Sequence, residues 1–131
     1  MIDDDVRRIL EEGPNVAHIA TVLPDGAPHS VPIWFIFESG RIAFFTQTGT
    51  RKARNIERDP RVAFSILDAA NPYRQAWLRG KAVERRDDEA IWETIDRMAV
   101  KYIGKAFPWR PPTSVLYTVE IERSGFYALP F

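Results

Sequence analysis

The sequence predicts a mainly β (α+β) domain: an antiparallel barrel of six to seven strands, closed or partly closed, with a few flanking helices. Three observations carry this expectation. Short β-branched and aromatic runs recur with tight turns between them, and a single long amphipathic helix pattern comes late in the chain. Helices are also missing between most strands, where a parallel doubly wound sheet would need them. At 131 residues, positions 1–131 read as one domain.

Asp3-Asp4-Asp5 opens a short helix with carboxylates at its electropositive end, Val6, Ile9 and Leu10 share one face, and Gly13-Pro14 ends it. Val16 to Leu23 is strand material, and Pro24-Asp25-Gly26 supplies the turn into a second strand, His29 to Phe37. Both faces of that strand are largely apolar. Pro32 in its middle brings no N–H to a ladder, which places it at an edge, a bulge or a gap where a ligand can approach the backbone. Arg41 to Thr46 is the third strand, Arg51 to Arg58 a short helix stopped by Asp59-Pro60, and Arg61 to Leu67 a fourth strand. Gln75 to Arg86 reads as a long strand with a bulge or close approach at Gly80. Asp87-Asp88-Glu89 starts the longest helix, whose stripe is Ile91, Ile95, Met98, Tyr102 and Ile103, and Gly104 closes it. After an aromatic loop, Lys105 to Pro112, strand material runs from Ser114 to Glu122 and from Gly125 to Leu129.

Composition removes several classes of function. Eighteen basic residues balance 18 acidic ones, which argues against a broad nucleic-acid or membrane-binding surface. No cysteine is present, so disulfides, thiolate nucleophiles and thiolate metal sites are excluded. His18 and His29 lack ligand-like spacing, and no metal site is expected. No run approaches the roughly 20 apolar residues of a membrane span, and a cytoplasmic location is expected.

Phe44 to Asn55 is where the pattern breaks its own rules. A strand runs into a hydroxyl-rich loop and a helix start that Thr50 is placed to cap, yet Arg51, Lys52 and Arg54 put cations where the helix dipole disfavours them. A phosphate held by the turn's N–H groups, the hydroxyls of Thr46, Thr48 and Thr50, and the charges of Arg51 and Lys52 would offset them. The plainer alternative makes Thr50 a cap only, with solvated cations near Glu57 and Asp59.

The ordered set Ala20-Thr21, Asp25-Gly26, Pro28 to Trp34, Phe45-Thr46, Lys52 to Ile56, Asp59 to Val62 and Arg79 to Ala82 resembles the flavin-binding split-barrel family of the pyridoxamine 5'-phosphate oxidases and their deazaflavin-dependent relatives. The resemblance spans about two thirds of the chain. It implies a split barrel and a homodimer, with two cofactor sites in the grooves between subunits. Thr50, Arg51 and Lys52 would hold the cofactor phosphate, and Ser30, Val31, Pro32, Ile33 and Trp34 would wall the flat ring. Trp77 and Arg79 would reach that groove from the partner subunit.

The oxidases carry an Arg-x-His element near the C-terminus that this chain lacks, so vitamin oxidation is not expected. The run Thr50 to Asn55 is closer to the subgroup that uses coenzyme F420, a deazaflavin with a phospholactyl-glutamate tail, and Arg51, Lys52 and Arg54 would suit that polyanion. The expected activity is hydride transfer from the reduced coenzyme to an unsaturated small molecule. The alternatives are an FMN-dependent oxidase or reductase and a protein that binds a flavin, haem or tetrapyrrole without turnover. No residue is singled out as catalytic. His29 is a possible proton donor but, between Pro28 and a strand, reads more simply as structural, and Trp109 reads as either a lid or a cover for the barrel's end.

Overall fold

The computed structural model describes residues 2–131, arranged as three helices and seven strands. Helix α1 (Asp4–Glu11) leads into β1 (Ala17–Val22), β2 (Pro28–Ile33), β3 (Ile36–Glu38) and β4 (Arg41–Gln47). Helix α2 (Arg51–Arg58) follows, then β5 (Arg61–Asp68), β6 (Asn71–Arg86), α3 (Ile91–Ile103) and β7 (Ser114–Ala128). All ladders are antiparallel, in the order β2-β1-β5-β6-β7-β4-β3.

The sheet curls without closing. Its end strands, β2 and β3, share no ladder, yet Ile33 from one end and Ile42 and Phe44 near the other join Ile19, Phe64, Leu78 and Tyr117 in one buried core. The expected barrel is therefore the partly closed, split form. Alternation along β5, buried at Val62, Phe64 and Ile66, gives the core one face of the sheet. Helix α1 adds Val6, Ile9 and Leu10 to it. A second cluster, Ala43, Ile91, Ile95, Met98 and Leu116, seats α3 on β4 and β7.

Four boundaries differ from the sequence reading, one being the start of β6 at Asn71 rather than Gln75. His29 to Phe37 is not one strand: the ladder stops after Ile33 and resumes at Ile36. Helix α3 supplies the reason. Tyr102 Oη accepts from the Phe35 N–H at 3.2 Å and donates to the Asn15 carbonyl at 2.6 Å, so a side chain takes the place of a strand partner. The C-terminal strand, read as two pieces, is continuous over β7 because the long β6 pairs with it through two register shifts. Helix α3 begins at Ile91, after Asp88 has capped the turn by accepting from the Ala90 N–H at 3.0 Å, and Ile103 leaves the apolar stripe at 40% exposure.

Candidate functional site

The turn between β4 and α2 is built from hydroxyls. Thr50 is the N-cap: its Oγ1 accepts from the Ala53 N–H at 3.4 Å and lies 3.1 Å from Oγ1 of the buried Thr46. Thr48 is exposed, anchored by its N–H to the Thr113 carbonyl at 2.9 Å, and Gly49 supplies the positive φ of 84° that the turn needs. Helix α2 then starts without an acidic residue in its first turn. Arg51 and Arg54 are exposed and Lys52 is half-buried.

The two nearby carboxylates are engaged elsewhere. Asp59 holds Arg61 at 2.7 Å, which with a backbone hydrogen bond lowers its pKa to about 2, and Glu57 accepts from Tyr117 Oη at 3.2 Å. Among the described residues, Arg51, Lys52 and Arg54 form no ion pair. Burial lowers the Lys52 pKa, so its charged form carries a desolvation cost that an anion would relieve.

Lys52 opens into a pocket of about 490 Å³ with Val16, Pro32, Ile33, Trp34, Phe45 and Phe107. One charged wall therefore meets several flat or apolar ones. Trp34 stacks on Tyr102 with ring centroids 5.0 Å apart and planes 3° apart, and Phe107 meets Trp34 and Phe45 edge-on at 6.1 and 5.1 Å. Asp96 of α3 fixes the loop that brings Phe107: its two oxygens accept from the Phe107 N–H at 3.1 Å and from Arg110 at 2.7 Å. Arg110 also lies 4.6 Å from the centroid of Trp92, which is half-buried against α3's own cluster. Trp109 stays 67% exposed, in edge contact with Phe107. Behind the stack, Lys101 lies 4.0 Å over the Phe35 ring, and burial lowers its pKa to about 8 while raising that of Tyr102 to about 12.

Of the residues singled out from the sequence, Pro32, Ile33, Trp34 and Lys52 line this pocket, while Thr46 and Thr50 build the turn beside Lys52. Pro32 sits on β2, an edge strand, as its missing N–H requires. Val31 packs against the core, and Ser30 is exposed on the opposite side of its strand. Trp77 and Arg79 do not line the pocket. They share the outer sheet face with it through cross-strand rows, Pro32–His18–Ser65–Trp77 and Ser30–Ala20–Ala63–Arg79. His29 is half-buried, and its Nδ1 lacks a hydrogen-bond partner.

Sequence reasoning missed Val16, Phe45 and Phe107 as lining residues and Tyr102 as the support beneath Trp34. The aromatic composition of the 105–112 loop was the available signal for Phe107. Among the described residues there is no cluster of metal-ligating side chains, and no helix is long and apolar enough to cross a membrane.

Solved structures resemble this chain over nearly all its length. An F420 reductase shares 26% identity at a TM-score of 0.78, covering 95% of this chain and 98% of its own. A conserved hypothetical protein from Mycobacterium tuberculosis shares 23% at a TM-score of 0.80, covering 100% and 90%. A Listeria innocua protein ascribed to the pyridoxamine 5'-phosphate oxidases shares 21% at 0.73, covering 94% and 95%. Among curated proteins, no sequence matches. The family model described as pyridoxamine 5'-phosphate oxidase matches residues 2–126, so the chain belongs to the pyridoxamine 5'-phosphate oxidase-like family, whose members bind flavins.

Proposed function

We propose that the protein is a dimeric oxidoreductase that holds coenzyme F420 in this pocket and passes a hydride to an unsaturated small molecule. The observation that carries the reading is the helix start itself: three cations, no acid in the first turn, and Lys52 half-buried at the mouth of an aromatic pocket. The 26% identity to an F420 reductase supports the choice of deazaflavin.

The donor set fits the group. The hydroxyls of Thr46, Thr48 and Thr50 and the cations Arg51 and Lys52 are the complement of a phosphate, and the walls at Pro32, Ile33 and Trp34 suit a planar ring. A bound reduced deazaflavin would supply one hydride, a hydrogen with its electron pair, and no single electrons. The chain's own part is to bind, orient and dry the site. Lys52 and Arg51 hold the anion, and Thr50 orders the N–H groups that face it. Phe45, Phe107 and Trp34 keep water from the ring, with Asp96 fixing Phe107. Because burial disfavours the Lys52 ammonium, anion binding draws it back to the charged form, and a proton is taken up on binding at alkaline pH.

The test is a parallel fluorescence titration of the purified protein with coenzyme F420 and with FMN. Tighter binding of the deazaflavin supports the reading, and turnover of an unsaturated acceptor then separates an enzyme from a carrier. Tighter binding of FMN moves the protein to the flavin branch, the second reading, which the family model itself favours. Binding of neither overturns both.

A further inference from the structure

Helix α2 packs on β1, and where it does so the interior of the barrel changes character. Ala17, Ile19 and Thr21 face inward along β1, and Ile33, Val31 and His29 face inward along β2. Register sets Ala17 against Ile33, Ile19 against Val31 and Thr21 against His29, so two apolar rungs are followed by a polar one. The buried side of α2 repeats the exception. Ala53 and Ile56 lie there as apolar residues should, together with Asn55, which is 0% exposed. Asparagine suits a helix interior poorly, because its amide competes for backbone groups, and its burial calls for partners from another element.

Thr21 is such a partner, but it satisfies only half of the amide. Asn55 Nδ2 donates to Thr21 Oγ1 at 3.0 Å. The ladder sets His29 directly across from Thr21, where facing side chains have Cβ atoms about 4.5–5.5 Å apart. One threonine thus stands next to both the amide and the imidazole. Asn55 Oδ1 and His29 Nδ1 are sealed from solvent, and neither has a hydrogen-bond partner among the described residues. They are the two buried side-chain atoms left in that condition among the described residues, and both fall at this corner of the barrel.

An amide oxygen is an acceptor, and so is the unprotonated nitrogen of a neutral imidazole. Two acceptors cannot satisfy one another. A small molecule with two donors pairs them, and water has both, with an oxygen left to accept the Thr21 hydroxyl proton, which the bond from Asn55 does not use.

We propose that Asn55, His29 and Thr21 form an internal site for one water molecule, which donates to Asn55 Oδ1 and His29 Nδ1 and accepts from Thr21 Oγ1. Three hydrogen bonds are the usual complement of a buried water. Asn55 lies about one helical turn beyond Arg51 and Lys52, and His29 is on the strand that continues to Pro32 and Ile33, so the water joins the helix of Lys52 to a wall of its pocket. Arg58 makes a parallel tie from the same helix, its guanidinium donating to the Val22 carbonyl. The three residues are positioning residues, and only their effect on a ligand rests on the function proposed above.

The first test is a crystal structure of the full chain at a resolution that shows ordered water. Density about 2.7–3.2 Å from all three side chains is expected. Side chains in contact with no density between them, or an amide turned over so that Nδ2 donates to His29 Nδ1 itself, overturn the proposal. The second test follows the His29 imidazole by nitrogen-15 NMR in alkaline buffer. Nδ1 is expected to resonate as a hydrogen-bonded acceptor with the proton on Nε2, and Asn55→Leu, close in volume but without the amide, to move it towards an unbonded acceptor. An Nδ1 resonance that Asn55→Leu leaves in place overturns the link between them. Neither test needs a cofactor, so both stand apart from the F420 reading. The positioning role is read with whichever of coenzyme F420 and FMN binds more tightly. Asn55→Leu and His29→Leu are each expected to weaken it about threefold, and the double variant no more than either alone, because both remove the same bridge. Losses that add would mean two separate packing effects and would remove the positioning role.

Discussion

Helices α1 and α2 are each eight residues long and each capped by a side chain, yet they begin with opposite charge. At α1, Asp3 accepts from the Val6 N–H at 3.0 Å, Asp4 and Asp5 occupy the first turn, and Arg8 stands in the last. That helix satisfies its own dipole. At α2, Thr50 provides the cap, no acid follows, and Arg51, Lys52 and Arg54 crowd the positive end. A start built like α1 is complete within the chain. One built like α2 is completed by something brought from outside, and the contrast locates the site better than the hydroxyl-rich turn does alone.

The contrast breaks first if the cations of α2 are idle. Lys52→Ala or Arg51→Ala is expected to weaken binding of the phosphate-bearing cofactor by about 1.5–3 kcal/mol, with little change in folding stability, as measured by fluorescence titration beside thermal melts. Normal binding by both variants would return α2 to an ordinary surface helix. The caps are the next largest effect. Asp3→Ala and Thr50→Ala are each expected to cost about 1 kcal/mol of stability by denaturant unfolding, but only the second to weaken the cofactor as well. Equal binding in the two would show that Thr50 serves the helix alone.

Reversing the charge sharpens the comparison. Lys52→Glu gives α2 an acid like those of α1, and the cofactor-free protein is expected to gain about 0.3–1 kcal/mol while cofactor binding is lost. A drop in stability would mean that Lys52 has a partner in the free protein. The smallest effect comes from Lys101, a second half-buried lysine that does not line the pocket. Its folded pKa of about 8 lies below the usual 10.5, so the unfolded chain holds more protons between these values. Its contribution to stability is therefore least favourable below about pH 8 and improves as pH rises towards 10.5. Lys101→Met is expected to remove that rise from unfolding curves measured across the interval, and an unchanged slope would assign it to other groups.

What the sequence disclosed about the site was local. Thr50 as a cap, the helix from Arg51 to Arg58, and Pro32 at an edge, a bulge or a gap all follow from chemistry within a few residues; the structure has the cap and the helix and, of the three places for Pro32, the edge. What it hid depends on distant partners. Nothing near Phe35 announces that its N–H will find the hydroxyl of Tyr102, 67 positions away, and an apolar run reads the same whether or not a ladder continues through it. The pocket's far wall depends on Asp96 holding Phe107 across a loop, a contact that no periodicity encodes. The meeting of His29 with Thr21 and Asn55 required the register of β2 on β1, which a slip of one residue would undo.

Strand β2 closes one end of the sheet order, and Pro28 and Pro32 deprive it of two of its six N–H groups. An open edge is normally a template for strands of other molecules, and removing donors blunts it. The wall offered to a ring is thus also a safeguard against stacking of chains edge to edge. A substitution such as Pro32→Val, which restores a donor and a β-branched side chain, would make the same edge fit for a neighbour's backbone and expose the protein to aggregation.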